Sequence, residues 1–148
     1  MTDDATLETA PQDCCPFCAI VRGESAARLV LDTNEVLVFF PREPAVVGHV
    51  LVVPKRHIGN VWDLDSATGA LLTEATLRVA HGLRAALRPD GLNVIQSNGE
   101  AATQTVQHLH IHLVPRWYDD PIGDFWPAGS PWTEAELDRA QQRITEKL

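Results

Sequence analysis

The sequence predicts an α+β domain with an antiparallel sheet of about five strands, one long helix and a C-terminal helix. Short apolar runs rich in β-branched residues occur both before and after a single long stretch of helical periodicity. Turn-forming residues separate the first two runs, which predicts a hairpin. Strands grouped before and after one helix are typical of α+β domains rather than of repeated βαβ units.

The strand predictions rest on where each apolar run begins and ends. The turn Asp32-Thr33-Asn34 joins the first two strands, and Pro54 ends the third. A polar loop over residues 97–103 separates the last two strands. The predicted strands are residues 28–31, 35–40, 49–53, 92–96 and 108–114.

Two helices are predicted from periodicity and capping signals. Apolar residues spaced three and four apart predict a long helix over Ser66–Leu87, with Ser66 as its N-cap. A Pro-Asp-Gly sequence just beyond it stops the helix. Near the end of the chain, Thr133 and Glu136 form a capping-box pattern that predicts a final helix over 133–147.

Size and charge limit the classes of protein to consider. The 148 residues are a natural size for one domain, predicted over 14–148 with a C-terminal tail, after a disordered lead over 1–13. A net charge of -8 argues against a nucleic-acid polymer as partner. No run approaches the ~20 apolar residues of a membrane span, and the N-terminus lacks the pattern of a secretion signal. We therefore expect a cytoplasmic protein with no membrane partner.

The three cysteines, Cys14, Cys15 and Cys18, lie within five residues of one another. They cannot connect distant parts of the fold, and an odd number fits poorly with a secreted disulfide framework. No thioredoxin-like βαβ pattern surrounds the CxxC pair of Cys15 and Cys18. By its residues alone, this pair could be a metal-binding knuckle or a redox site.

Three histidines alternate with aliphatic residues at His108, His110 and His112. In a strand, side chains at i, i+2 and i+4 share one face, so the histidines would line one face and the aliphatic residues would face the core. A plain polar sheet face does not require histidine. The residues themselves leave two chemical interpretations open, which are a zinc site and nucleophilic catalysis by a neutral imidazole.

The histidine run and several other segments resemble the histidine triad (HIT) family. The resemblance covers about residues 15–117 in one register. The matching segments are HLHIHLV at 108–114, GHVLVVPKRH at 48–57, Asn98-Gly99, Gln104-Thr105-Val106, Pro115-Arg116-Trp117, Phe39 and Pro44. The resemblance implies a HIT-like fold and a homodimer with a continuous sheet.

The resemblance also implies a catalytic set. His110, as the middle histidine, would attack the α-phosphorus of a nucleotide and form a nucleotidyl-histidine intermediate, which water would hydrolyse. His112 would contact phosphate oxygens and assist proton transfer, and His49 would orient the triad. The expected substrates are nucleoside phosphoramidates or dinucleoside polyphosphates.

Five further positions resemble the family's substrate contacts. Gln104 and Thr105 would donate hydrogen bonds to phosphate or leaving group, and Ser97 or Asn98 would add one more phosphate contact. Trp117, directly after the catalytic strand, could stack on a base.

A structural zinc is implied by the resemblance to the bacterial members of the family. Its ligands would be Cys15 and Cys18, together with His57 and the first triad histidine, His108. A closed set of four protein ligands would tie the N-terminal knuckle to the catalytic strand.

Two positions depart from the family pattern. Pro41 stands where the family commonly has an acidic residue that binds the ribose hydroxyls, and Thr103 stands where a glycine is common. Two other functions also stay open. One is a zinc-dependent hydrolase with metal in the triad, and the other is a nucleotide-binding signalling module with little turnover.

Overall fold

The structure is a computed structural model that describes residues 12–148, so the predicted disordered lead lies outside the described residues except at positions 12 and 13. It confirms the α+β prediction, with five antiparallel strands and three α-helices. The strands are β1 (Leu29–Asp32), β2 (Val36–Phe39), β3 (Val50–Pro54), β4 (Gly91–Gln96) and β5 (Ile111–Arg116). The helices are α1 (Pro16–Val21), α2 (Ser66–Leu87) and α3 (Glu134–Thr145). Short 3-10 turns lie at Gln12–Cys14, Val61–Asp63 and Glu100–Ala102.

The five strands form one sheet in the order β1-β2-β3-β5-β4, and all neighbours are antiparallel. Every residue of β2 and β3 is buried, because both faces of the sheet are covered there. Strand β5 lies between β3 and β4, with His112 paired to Leu51 on one side and Ile95 on the other. The histidine strand is thus held by neighbours on both edges.

Alternation of side chains divides the apolar residues between two clusters, one on each face of the sheet. Helix α2 covers the first face, where its apolar stripe packs on alternate residues of β2, β3 and β5. The short helix α1 covers part of the second face, where Phe17 packs against Phe39 with ring centroids 5.4 Å apart. The second face is left partly open, and the functional site lies there.

Helix α2 has the predicted bounds but a different N-cap. The cap is Asp65, whose carboxylate accepts from Thr68 N–H and hydroxyl. These hydrogen bonds lower the pKa of Asp65 to about 2. Ser66 is instead the first helical residue. Both residue types are good caps, but a carboxylate also interacts favourably with the positive end of the helix dipole.

Strand β5 begins three residues later than the sequence predicts. Residues 108–110 lie outside the ladder, and the Leu109 N–H donates to the Ile58 carbonyl at 2.6 Å. The alternation of faces still holds, because Leu109 and Leu113 are buried in the cluster under α2 and Ile111 packs against it. The first two histidines therefore lie in the irregular segment just before β5.

The C-terminal helix α3 begins as predicted, with both hydrogen bonds of the Thr133–Glu136 capping box present. None of its residues is buried, and an irregular segment joins it to β5. Across residues 12–148, no helix combines the length and the apolar character that a membrane crossing requires.

Gly48 and Gly82 give a matched pair of glycine-to-alanine changes. Gly48 precedes His49 with φ +93°, and a Cβ there would lie 2.4 Å from Leu87 Cδ1 and 3.2 Å from Pro115 Cγ. We expect Gly48→Ala to lower the free energy of unfolding by about 1–3 kcal/mol. Gly82 lies inside α2 with no atom within 4 Å of a Cβ, so Gly82→Ala should raise it by about 0.4–1 kcal/mol. Urea denaturation measures both; equal effects would contradict the backbone assignment at Gly48.

Candidate functional site

A cleft of about 550 Å³ opens on the second face of the sheet, within the size range of small-molecule sites. Its apolar walls come from α1 and the sheet, through Phe17, Ile20, Phe39 and Leu51. The two histidines of the pair His110 and His112 lie in the cleft. Other lining residues include Thr105, Val106, Arg28, Phe40, Pro41 and Arg42.

The ring of His110 is held in one tautomer by the chain beside it. Its Nδ1 lies 2.7 Å from the His108 carbonyl oxygen, which can only accept, so Nδ1 carries the proton. The Nε2 atom therefore keeps a free lone pair. Burial lowers the pKa of His110, which favours the neutral ring.

His110 is only 6% exposed and packs edge-on to Phe17, with ring centroids 5.2 Å apart. Within residues 12–148, the buried side-chain polar atoms without a hydrogen-bond partner are His57 Nε2 and Thr76 Oγ1. In this part of the chain His110 Nε2 also has no hydrogen-bond partner, but it is not among the buried atoms, so it reaches the open cleft. The ring is positioned by apolar packing while its reactive nitrogen stays accessible.

A second chain of hydrogen bonds sets the tautomer of His112. The Ala45 N–H donates to Nδ1 of His49 at 3.0 Å, so Nε2 of His49 carries the proton. That proton points to Nδ1 of His112, 2.9 Å away, and His112 must then carry its own proton on Nε2. Burial, with the nearby His110 and His49, lowers the pKa of His112 to about 4.

The two rings of the histidine pair have complementary properties. His110 presents a lone pair at Nε2, and His112 presents an N–H donor at Nε2, with ring centroids 4.9 Å apart. A group bound between them can be attacked by one ring and hydrogen-bonded by the other. His49 supports this arrangement from behind His112 rather than lining the cleft.

The loop between β4 and β5 is folded around the buried side chain of Gln104. Its Oε1 accepts from Gly99 N–H at 2.8 Å, and its Nε2 donates to the carbonyls of Gly59 (2.7 Å) and Val106 (3.0 Å). The amide is thereby engaged with backbone, and the exposed Thr105 that follows lines the cleft.

Thr103, at the position where the resemblance places a glycine, adopts φ +67° and ψ +25°. This left-handed conformation is unfavourable for a β-branched residue. The loop thus keeps a glycine-like backbone in spite of the substitution. The surrounding hydrogen bonds of the Gly99–Gln104 turn hold it there.

The remaining predicted substrate contacts lie outside the cleft lining of the described chain. Asn98 accepts from Val61 N–H at 2.7 Å and exchanges amide hydrogen bonds with Gln96. Ser97 is half-buried and its carbonyl accepts from the Gln96 amide. Trp117 is half-buried just after β5. Among these five predicted contacts, the structure brings Thr105 into the cleft, and substrate binding by the others stays a prediction.

Four predicted metal ligands meet at the N-terminus of α1. One donor atom from each of Cys15, Cys18, His57 and His108 lies within 4.8 Å of all the others. The sulfur–Nδ1 distances are 3.4 Å for Cys15–His108, 3.3 Å for Cys18–His57 and 3.5 Å for Cys18–His108. A sulfur and a nitrogen on one tetrahedral zinc lie roughly 3.6 Å apart, so this set fits such an ion.

The hydrogen bonds around this cluster also fit a metal site. His108 Nε2 donates to the Pro54 carbonyl at 2.8 Å, which leaves the lone pair of Nδ1 facing the sulfurs. A backbone carbonyl behind a histidine is the common support for a metal ligand. Burial raises the pKa of the Cys18 thiol to about 11, so an uncoordinated Cys18 stays protonated, whereas a bound metal ion would hold it as thiolate.

Part of the cleft was not predicted from the sequence. Phe17 and Ile20 lie on α1. No local sequence pattern predicts that this helix packs on the sheet. Arg28 and Arg42 flank the β1–β2 hairpin and line the cleft. Their positions in the sequence do not distinguish them from ordinary surface charges. The sequence contains one signal for this wall of the cleft. It is Pro41, which departs from the family pattern and lines the cleft.

The antiparallel sheet, the histidine pair and the Cys/His cluster together define the class of proteins built on the histidine triad domain. The family model for the HIT domain matches residues 22–118. The chain therefore belongs to the HIT family.

Three similar proteins illustrate the range of the family. A crystal structure of a HIT family member from Bacillus subtilis superposes with a TM-score of 0.84 at 31% identity, covering 91% of this chain and 97% of that one. Adenosine 5'-monophosphoramidase HNT1 of Saccharomyces cerevisiae is 35% identical over 130 residues, or 86% of this chain and 77% of its own length. A zinc-bound histidine triad family protein from Mycobacterium smegmatis has a TM-score of 0.72 at 32% identity, covering 93% of this chain and all (100%) of that one.

The low pKa of His112 predicts a shifted titration. Because the folded pKa of about 4 lies below the usual value near 6.5, the unfolded chain binds more protons between these pH values. The free energy of unfolding should therefore fall as the pH falls through this window. Proton–nitrogen NMR of the histidine rings, with His112→Gln to assign the signal, should give a His112 midpoint well below 6.5. A midpoint at the usual value would show that the ring is not shielded by its neighbours.

Proposed function

We propose that this HIT family chain is a nucleotidyl hydrolase or transferase that acts on the α-phosphate of nucleoside phosphoramidates or dinucleoside polyphosphates. The observation that carries the proposal is the tautomer of His110, whose Nδ1–H is held by the His108 carbonyl while Nε2 faces the cleft. Nucleophilic attack requires such a free lone pair on a neutral ring. The yeast relative with a phosphoramidase name supports the substrate class.

The proposed first step forms a bond between His110 Nε2 and the α-phosphorus. The bond from phosphorus to the leaving nitrogen or oxygen breaks, and that atom takes a proton from solvent water. The neutral His112 ring assists by donating a hydrogen bond from Nε2 to the leaving atom, while its Nδ1 accepts from His49. The product is a nucleotidyl-His110 intermediate with the leaving group departed.

The proposed second step returns the enzyme to its starting state. Water attacks the same phosphorus, the N–P bond to His110 breaks, and the lone pair returns to Nε2. The proton lost by water returns to solvent, while His112 Nε2 donates a hydrogen bond to a phosphate oxygen. The net reaction consumes one water and releases a nucleoside monophosphate. A second nucleophile in place of water would make the reaction a transfer.

The neighbouring loop would hold the phosphate during both steps. Thr105 is exposed at the cleft and can donate its hydroxyl to a phosphate oxygen. We keep Gln104, Ser97 and Asn98 in the proposed phosphate loop, with the Gln104 amide acting through the backbone it holds. Trp117 is retained as a proposed base contact.

A structural zinc ion is proposed for the Cys15, Cys18, His57 and His108 cluster. The donor set and its sulfur–nitrogen distances fit tetrahedral zinc, and four protein ligands leave no open position for catalysis. The ion would tie α1 to the segment before β5. Because α1 carries Phe17, which packs on His110, this link would also steady the nucleophile.

The alternative of a catalytic metal in the triad has less support. Among residues 12–148, the cluster placed to hold an ion is the Cys/His set, which uses His108 but neither His110 nor His112. Both Nδ1 atoms of the histidine pair are engaged in hydrogen bonds. The rate measurement below distinguishes an enzyme from a nucleotide-binding signalling module with little turnover.

We also propose that the chain is cytoplasmic and forms a homodimer. Strand β4 lies at one edge of the sheet, and Val94 within it is 54% exposed. An apolar edge strand of this kind is usually paired or covered. A second copy of the chain, adding its own sheet at β4, would pair this edge strand and cover it.

Removal of the proposed nucleophile should abolish turnover. We expect His110→Ala to lower kcat/KM for a fluorogenic adenosine 5′-phosphoramidate by roughly 10⁴-fold or more. His81→Ala changes an exposed histidine of α2 outside the cleft and should retain the wild-type rate. The wild-type rate should survive brief treatment with a mild chelator, and intact mass spectrometry should find a nucleotidyl adduct in slow variants. Comparable rates in His110→Ala and wild type would exclude the proposed chemistry, and negligible wild-type turnover with tight nucleotide binding would favour the binding module.

The zinc proposal predicts one metal ion per chain. Plasma mass spectrometry should find about one zinc per chain in the wild type and in Cys14→Ser, since Cys14 is exposed and outside the cluster. Cys18→Ser should lose the ion and about 3 kcal/mol of stability, which lowers Tm by roughly 10 °C. Full zinc content in Cys18→Ser would contradict the assignment.

A further inference from the structure

Two arginines line the same cleft as the histidine pair. Arg28 lies just before β1 and Arg42 just after β2, and both line the cleft that contains His110 and His112. No aspartate or glutamate is among the lining residues of this cleft in the described part of the chain. This is unexpected in a chain with 20 acidic and 12 basic residues.

The hairpin geometry keeps these arginines on one wall. The Phe40 N–H donates to the Arg28 carbonyl at 3.0 Å, which places Arg28 across from the end of β2. Arg42 follows two residues later, after Pro41. Phe40 and Pro41, which lie between the end of β2 and Arg42, also line the cleft.

Within residues 12–148, neither arginine forms an ion pair with a carboxylate. Ion pairs in the described residues involve Arg22, Lys55, Arg56 and Arg116 as the cations. Arg28 and Arg42 are exposed and take part in none of them. Their guanidinium groups are therefore available to a ligand, and this wall of the cleft is positive although the protein as a whole is acidic.

A guanidinium group favours a different ligand from a carboxylate. A carboxylate accepts hydrogen bonds from hydroxyl groups, whereas arginine only donates and offers a planar pair of N–H groups that matches a phosphate or carboxylate. Two such groups, in a cleft whose lining includes no acidic residue in the described part of the chain, favour an anion.

We propose that the cleft selects substrates with a second anionic group, such as a phosphate, which Arg28 and Arg42 bind while the reacting phosphate lies at His110. The inference rests on the proposed function for the location of the reacting phosphate. The second phosphate belongs either to the ribose, as a 2′- or 3′-phosphate, or to the leaving-group side of the substrate. Both sources share the same chemistry of recognition.

Isothermal titration calorimetry of the full chain at fixed ionic strength tests this proposal. The probes are adenosine 5′-monophosphate, adenosine 3′,5′-bisphosphate, adenosine 2′,5′-bisphosphate and adenosine 5′-diphosphate. At least one doubly phosphorylated probe should bind about tenfold or more tightly than the monophosphate. Preference for a bisphosphate assigns the second group to the ribose, and preference for the diphosphate assigns it to the leaving-group side.

Removing each arginine charge distinguishes specific binding by Arg28 and Arg42 from general electrostatic attraction. In Arg28→Gln and Arg42→Gln the affinity ratio between the preferred probe and the monophosphate should fall toward one. Arg78→Gln removes the same charge from an exposed position of α2 outside the cleft and should leave the ratio unchanged. Arg42→Lys keeps the charge without the planar fork and should retain part of the preference.

The outcomes distinguish this inference from the proposed function. Binding of all four probes within twofold, or a preference that persists in the double variant Arg28→Gln/Arg42→Gln, would overturn the inference. A preference that depends on the arginines would support it even if no phosphoramidate is hydrolysed, and in that case only the proposed function fails. Thermal unfolding of each variant verifies that the exposed substitutions leave the fold intact.

Discussion

The hydrogen bond from His110 Nδ1 to the carbonyl oxygen of His108 is the constraint on which the site depends. It fixes the proton on one side of the ring and leaves the lone pair on the side that faces the cleft. The residue that supplies the acceptor is itself immobilised, since the His108 ring donates to the Pro54 carbonyl and faces two cysteine sulfurs. The geometry of the histidine pair and the Cys/His cluster are therefore parts of one connected structure.

The sheet separates the stabilising and the functional parts of the molecule. Helix α2 covers one face with a continuous apolar core, which allows the other face to remain partly open. On the open face, burial lowers the pKa of His110 and of His112 and keeps both rings neutral, while the cleft still admits a ligand. His49 extends this network to the backbone at Ala45. A chain of hydrogen-bond donors, rather than solvent, therefore decides which nitrogen of His112 carries the proton. Arg28 and Arg42 also line this cleft, and in the described part of the chain its lining includes no acidic residue, although the whole chain is acidic.

Several elements could be predicted because their causes are local. The periodicity of α2 and the capping box of α3 involve residues within a few positions of one another, and both helices form as predicted. The sequence predicts the N-cap of α2 one residue too late, because Asp65 and Ser66 are both good caps and only the hydrogen bonds to Thr68 distinguish them. The sequence also predicts the start of β5 three residues too early, because the contact of Leu109 with Ile58 is long-range.

The sequence alone is enough to predict the α+β class and the alternation of histidine with aliphatic residues, because both are properties of neighbouring residues. The set of Cys and His donors is predicted instead from the resemblance to the HIT family, because its members are spread along the chain. The tertiary structure alone decided which imidazole nitrogen carries each proton, that the Gln104 amide holds its loop, and that Arg28 and Arg42 line the cleft. These properties depend on the geometry of the folded chain, and several of them depend on groups distant in the sequence, such as Pro54 and His108, 54 residues apart, which only folding brings into hydrogen-bonding distance.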